Sequence, residues 1–393
     1  MIHHRFARTV AVFALLCGTA FGISVPRGAA ALYCLVSDMA FRATITGSGV
    51  IHGTEGPDVI AGSNGADEIF GYGGDDLICA RGGADIVHGG DGNDSLYGNT
   101  NRDTIYGDAG DDFITGEESD DRLAGGDGAD LMFGHYGNDH LSGGEGADTM
   151  LGQPGDDRLY GQGGDDRLGG NEGNDTISGG GGHDEILGDG YQDRAQFGND
   201  LIEGGPGNDL IDGGPLDDRI SGSSGDDQID GNNGNDAITG GTGVDTVFGG
   251  LDHDHIDGGV DADTLHGDSP DPQINALAPG NDLIVGGDGE DTLDGQHGND
   301  RLYGEDDNDT IAGAEGADSI SGGPGTDSIT GGTGADLISG DEDGDTLSGN
   351  SGNDRIYGKS GNDSLDGGSS TDYCSGSTGT DTAVACETLA GIP

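Results

Sequence analysis

Tryptophan is absent from the 393 residues, aromatic side chains make up only 5%, and 14 basic residues stand against 75 acidic ones. With apolar residues at 31%, a single thick hydrophobic core is excluded, and composition alone leans toward disorder. Positive charge is so scarce, with a formal net charge of −61 and a pI near 4.1, that recognition of nucleic acid or anionic lipid is excluded, since both need basic patches. Cations are the partners such a chain attracts. In excess is glycine, with 87 residues, far above ordinary enzyme composition.

One stretch differs in kind. Met1 to Arg8 carries Arg5 and Arg8 and no acid, Thr9 to Val25 is almost wholly apolar, and small residues follow at Ala20, Gly22 and Ala29 to Ala31. Residues 1–30 therefore read as a secretory signal peptide, which places the mature chain outside the cytosol, secreted or at the cell surface. The apolar stretch is short for a membrane anchor and runs into Pro26, and no second stretch of that length follows. No membrane span is expected after leader removal. Four cysteines then remain, Cys34, Cys79, Cys374 and Cys386, enough for two disulfides in an exported chain. Closeness in sequence makes Cys374 to Cys386 the first expected pair, with Cys34 to Cys79 as a second.

From Gly53 the sequence falls into nine-residue units of the form G-G-x-G-x-D-x-U-x, where U is aliphatic; GGDGNDSLY at 89–97 and GGPGNDLID at 204–212 are good specimens. The first block, 53–189, places the sixth-slot aspartate at Asp58, Asp67, Asp76, Asp85, Asp94, Asp103, Asp112, Asp121, Asp130, Asp139, Asp148, Asp157, Asp166, Asp175 and Asp184. The second block, 200–268, carries Asp200, Asp209, Asp218, Asp227, Asp236, Asp245, Asp254 and Asp263. The third, 280–381, carries Asp282, Asp291, Asp300, Asp309, Asp318, Asp327, Asp336, Asp345, Asp354, Asp363, Asp372 and Asp381. Aspartate fills all 35 registers.

The eighth slot is mostly Ile, Leu or Val, from Ile60 to Leu365. One inward side chain per nine residues predicts a strand of about three residues between tight turns, two units to a coil, with six turn residues in each unit. Glycine supplies the positive φ and the room such a turn needs. Aspartate adds a short, hard oxygen ligand of the kind calcium prefers. Units eighteen residues apart stack, so Asp58 is expected beside Asp76 and Asp67 beside Asp85, each pair bridged by one ion on the same edge of the roll. One aliphatic side chain per unit cannot offset the conformational entropy of nine ordered residues, let alone the repulsion of stacked carboxylates. The metal is therefore expected to complete the fold. Pairs within the three blocks offer up to roughly 29 calcium sites, whose +58 nearly matches the −61 of the chain. The fourth slot departs from glycine at Asn101, Ser119, Leu216, Asp252, Asp261, Asp307, Asp343 and Ser370; sites there are expected to be weaker, that at Leu216 weakest.

This pattern resembles the RTX family of secreted calcium-binding nonapeptide-repeat proteins, and the likeness covers about 330 residues. The resemblance implies an all-β fold, a parallel β-roll or β-helix-like solenoid of about 35 registers, two per coil, with calcium held in the turns by the register aspartates and by turn carbonyls. Family members commonly attach the roll to a toxin, protease, lipase or epimerase domain, and the sequence here outside the repeats is too short for one. Many relatives leave the cell by a one-step route read from a C-terminal signal, whereas this chain begins with what reads as a general secretory leader.

Two irregular stretches, 190–199 and the proline-containing 269–279, are expected to be loops bulging from one roll, because proline cannot occupy an interior rung. Residues 31–52 read as an N-terminal cap and 382–393 as a C-terminal cap or tail, covering coil ends that would otherwise template aggregation. No catalytic constellation emerges: His253 and His255 flank a register aspartate without a third ligand at metal-site spacing, and neither G-x-S-x-G nor a Walker-type loop stands out from the periodic glycines. Variable slots offer mainly Asp, Asn, Gly, Ser and Thr, with little aromatic surface for sugars. The expected function is an extracellular calcium-binding protein, structural or adhesive, with cell-surface or matrix components as further partners and no enzyme activity. The alternative is a secreted hydrolase or polysaccharide-modifying enzyme, or an accessory module of one.

Overall fold

The computed structural model describes residues 33–36, 39–189, 197–269 and 280–391, and among them there is no helix. The chain divides into two compact units, Met1–Leu131 and Met132–Pro393. Each is a parallel β-solenoid in which successive strands alternate between two sheets. In the first unit Glu68–Gly73 pairs with Ile86–Asp91, Ile69 opposite Val87, while Leu77–Gly82 pairs with Ser95–Thr100 in the other sheet, Ile78 opposite Leu96. In the second unit Arg158–Gly163 pairs with Thr176–Gly181, and Arg167–Glu172 with Glu185–Leu187. The offset is eighteen residues in each case, so equal slots stack and the aliphatic eighth slots form buried columns, from Ile60 to Leu365 at no more than 3% exposure.

The strands are longer than the spacing suggests. Most have six residues and run from the seventh slot through the third slot of the next unit, as in Ser95–Thr100 and Arg301–Asp306. The physical reason lies in the second slot. A residue there with positive φ, such as Tyr72 at +78° or Glu305 at +72°, bends the strand without ending its pairing, so the turn proper shrinks to the fourth to sixth slots. Nor is the aliphatic side chain alone inside: every register aspartate from Asp67 to Asp381 is 4% exposed or less. The carboxylates line the interior of the turns instead of standing on an outer edge.

Within the second unit the sheets continue past both irregular stretches. Thr176–Gly181 pairs with Leu201–Pro206, Ile177 opposite Ile202, an offset of 25 residues. His255–Val260 pairs with Leu283–Asp288, Ile256 opposite Ile284, an offset of 28. The chain between, 190–196 and 270–279, lies outside the described residues.

At the start, Tyr33–Val36 and Met39–Arg42 form an antiparallel pair, and Ile45–Thr46 and Val50–His52 already belong to the two sheets. At the other end Thr388–Ala390 pairs in parallel with Tyr373–Ser375. A Cys374–Cys386 disulfide, its Cα atoms 6.0 Å apart, ties a buried eighth slot to the segment that leads into this final strand. Cys79 is also disulfide-bonded; the side chain of Cys34, its expected partner, lies outside the described residues.

The ninth slots of the first unit carry an aromatic ladder. His52, Phe70, His88 and Tyr106 occupy the ninth slot at eighteen-residue intervals and stack with ring centroids 5.5, 5.2 and 4.7 Å apart. The rings face one another, so this ladder stabilises the sheet as cross-strand aromatic pairs do.

Candidate metal centre

Each turn places one carboxylate in the same way. The N–H of a register aspartate donates to Oδ1 of the aspartate one coil on: Asp58 to Asp76 at 2.8 Å, Asp85 to Asp103 at 2.8 Å, Asp282 to Asp300 at 2.8 Å. Its carbonyl accepts from the residue after that next aspartate, as from Leu77 to Asp58 at 3.0 Å and from Ser95 to Asp76 at 2.8 Å. The structure thus brings together the partners expected from spacing. It also joins four pairs that an eighteen-residue rule leaves out: Asp175 with Asp200, Asp184 with Asp209, Asp254 with Asp282 and Asp263 with Asp291.

These bonds use Oδ1 and leave Oδ2. For the registers from Asp76 to Asp112 and from Asp166 to Asp381, Oδ2 is buried and receives no hydrogen bond. A buried oxygen without a donor carries its full desolvation cost, and an ionised one costs more. Burial, joined by the charge of neighbouring registers, pushes Asp94 and Asp103 up to about 7 and Asp175, Asp218 and Asp254 up to about 9. Each of these carboxyls needs a proton or a cation.

The glycine of the first slot marks where a cation fits. Its φ is not left-handed; what it lacks is space. A Cβ on Gly98 would meet Asp103 Oδ2 at 2.6 Å and the Gly116 carbonyl at 3.0 Å, and one on Gly295 would meet Asp300 Oδ2 at 2.6 Å and the Gly313 carbonyl at 3.1 Å. A carboxylate oxygen and a carbonyl oxygen from the next coil therefore converge on a cradle that a methyl group would fill. Among the described residues no group of three or more His, Cys, Asp and Glu side chains forms a closed metal cage. Two stacked aspartates and backbone carbonyls make an all-oxygen donor set, which suits calcium and not zinc.

The second and fourth slots carry the positive φ. Gly92 at +132° and Gly164 at +131° are typical of the fourth slot, and all eight non-glycine residues there are also left-handed, Leu216 at +87° and Asn101 at +75° among them. The turn persists at each, and a β-branch-free side chain at positive φ costs less for Asn and Asp than for Leu. His253 lies outside any metal cluster, its Nδ1 accepting from the Asn281 N–H at 2.8 Å.

Sequence reasoning missed some participants. Asp372 donates to Glu387 Oε2 at 2.7 Å, fifteen residues away, so a glutamate stands where the next register aspartate would be. At the first coil Gly49 donates to Asp67 Oδ1, and Thr44 hydrogen-bonds Asp58 and Val59, so no carboxylate takes that place. Asp189 and Asp268 are buried beside the register aspartates at the two breaks, at 3% and 0% exposure. Glu387 lies off the nine-residue spacing, so no signal in the sequence marks it.

A family model described as the RTX calcium-binding nonapeptide repeat (4 copies) matches the chain in successive segments from 52–87 to 348–383. No curated protein matches the chain.

Proposed function

Since the chain belongs to the family built of RTX calcium-binding nonapeptide repeats, we propose that it is an exported protein, structural or adhesive in role, whose roll folds on binding calcium outside the cytosol and has no catalytic activity of its own. RTX repeats bind calcium, and the parallel roll is the framework that holds the sites. The observation that carries the rest is the column of buried Oδ2 atoms without donors. Such a column is repulsive until divalent ions enter it, and each ion between two coils is shared by both. Where free calcium is scarce the chain stays expanded, the state an unfolded-chain exporter requires; where calcium is millimolar it condenses.

The test is a calcium titration of the mature chain followed by far-ultraviolet circular dichroism and small-angle scattering. A cooperative gain of strand signal with a fall in radius of gyration is expected. A calcium-free chain at neutral pH that already has the strand signal and dimensions of the loaded one would refute calcium-driven folding.

A further inference from the structure

Of the five described arginines of the second unit, Met132–Pro393, four stand in one row. Arg158, Arg219, Arg301 and Arg355 open Arg158–Gly163, Arg219–Ser224, Arg301–Asp306 and Arg355–Lys359, strands of the same sheet, and all four are exposed. Register pairing fixes their intervals. Arg158 leads to Arg219 through Thr176 and Leu201 in three rungs, Arg219 to Arg301 through Ala237, His255 and Leu283 in four, and Arg301 to Arg355 through Ser319 and Leu337 in three. At the usual strand spacing these steps are about 14 to 19 Å. No acidic residue interrupts the row, and both irregular stretches fall within it without displacing it.

These guanidinium groups form no ion pair with any described side chain, in a chain where acidic residues outnumber basic ones 75 to 14. The fifth arginine, Arg167, lies in the other sheet and does pair, with Glu185 at 3.0 Å. Arginines placed for solubility alone would be divided between the two sheets. The reason the row stays unpaired is positional. Exposed acids of the same sheet stand at the far ends of its strands, Asp288, Asp306 and Glu342 closing Leu283–Asp288, Arg301–Asp306 and Leu337–Glu342. First and last residues of a six-residue strand are roughly 17 Å apart, farther than an arginine side chain extends. The sheet thus has a positive margin and a negative one that cannot neutralise each other within one chain.

We infer that this sheet docks a second copy of the chain, the arginine row of one copy seated on the acidic margin of the next. Complementary charge selects the occupant, and so does the interval. Asp288 and Glu342 are three rungs apart, counted through Leu283, Arg301, Ser319 and Leu337, which is also the interval from Arg158 to Arg219 and from Arg301 to Arg355. Two arginines of one copy therefore meet two carboxylates of another in a single register, with the paired hydrogen bonds that guanidinium and carboxylate form best. A nucleic-acid strand, charged about every 3.4 Å, does not match a row so sparse. Because the two margins differ, the contact is heterologous; each added copy leaves one margin free, and a side-by-side array results. Calcium is a precondition, since two copies at −61 repel until the turn carboxylates are neutralised. The inference rests on the calcium-folded roll and the structural role proposed above, and it supplies the partner that role leaves open.

The experiment is sedimentation velocity of the full mature chain in saturating calcium, over a concentration series at low and high sodium chloride. Wild type should rise with concentration to about twice the chain mass and beyond, and return to the single chain at high salt. Arg158→Gln, Arg219→Gln, Arg301→Gln and Arg355→Gln combined should stay a single chain with unchanged circular dichroism, as should Asp288→Asn, Asp306→Asn and Glu342→Gln combined. Mixed, the two variants should form a 1:1 dimer and nothing larger, because each contributes one intact margin. A wild type that is monomeric throughout, association that survives in the arginine variant, or a mixture that stays monomeric overturns the inference. If wild type is monomeric and dextran sulfate binds it but not the arginine variant, the row serves an anionic polymer instead, and self-docking is refuted. Should the fourfold variant fail to fold, Arg301→Gln with Arg355→Gln takes its place; a shift of association to higher concentration supports the contact, and no shift overturns it. Failure of wild type to gain strand signal with calcium would refute calcium-driven folding, an outcome read from circular dichroism and separate from all of these.

Discussion

A carboxylate buried with one oxygen bonded and the other bare is a site waiting for charge, and the registers from Asp76 to Asp112 and from Asp166 to Asp381 repeat it. Because a register aspartate meets one neighbour above and one below, removing it affects both. Asp94, between Asp76 and Asp112, is such a residue, whereas Asp58 has only Asp76 as a register partner. Asp94→Ala should therefore lower the calcium count by up to two ions and raise the folding midpoint in calcium, and Asp58→Ala by one with a smaller shift; equal losses would argue against shared sites. Protons act on the same oxygens. Burial raises these groups from 3.8 to about 7 at Asp94 and about 9 at Asp175, so the folded state binds protons that the unfolded chain does not. The sign follows from linkage: the contribution is fully present below about pH 3.8, and it is lost as pH rises through the folded values of about 7 to 9. Without calcium, acidification from pH 9 toward 4 should restore part of the strand signal, and the calcium midpoint should rise as pH falls. A calcium-free chain whose circular dichroism ignores pH over that window would contradict this.

At the scale of the nonapeptide, its glycines divide the work. The second and fourth slots need left-handed backbone, and the second often takes it with a side chain, as at Arg81 at +82° or Asn99 at +76°. The first slot needs the absence of a Cβ, because a carboxylate and a carbonyl crowd its Cα. Gly98→Ala should therefore weaken the roll by about 1–3 kcal/mol, the usual scale of overpacking, seen as a raised calcium midpoint. Asn99→Gly, which relieves a left-handed residue one slot on, should cost little. Ala80 occupies a first slot, so a coil can adjust to one methyl group and outright loss of folding is not expected. If both variants titrate like wild type, the first-slot cradle has no energetic weight.

At the scale of the molecule, each sheet has one hydrophobic column and one carboxylate column, and the second is unfavourable without its ions. Loops of irregular sequence are accommodated because stacking is a nearest-neighbour affair: both breaks in the second unit leave Ile177 opposite Ile202 and Ile256 opposite Ile284. Size and hydration decide which ion serves. Magnesium demands a compact octahedral shell and keeps its waters, so magnesium at millimolar concentration should give little of the strand signal that calcium gives in the same circular dichroism titration. Full folding by magnesium would show that charge neutralisation alone, without calcium's wider oxygen shell, completes the roll.

The sequence by itself determined the repeat, its aspartate registers, the aliphatic column and the eighteen-residue pairing, because each depends on a residue type recurring at a fixed spacing. Tyr72 at positive φ gave no sign of its conformation, since a backbone bend imposed by stacking overrides side-chain preference. Asp189 and Asp268 were indistinguishable from dozens of other aspartates until the chain on either side of each break was brought back into register. Glu387 lay off the period, and the ladder of His52, Phe70, His88 and Tyr106 mixed residue types that no single-letter pattern joins. Most of all, spacing put the carboxylates in the turns but left their direction open. Only the tertiary structure decided that they turn inward, Oδ1 bonded to the previous coil and Oδ2 bare, because that orientation is fixed by backbone N–H groups eighteen or more residues away and by glycines that leave the room.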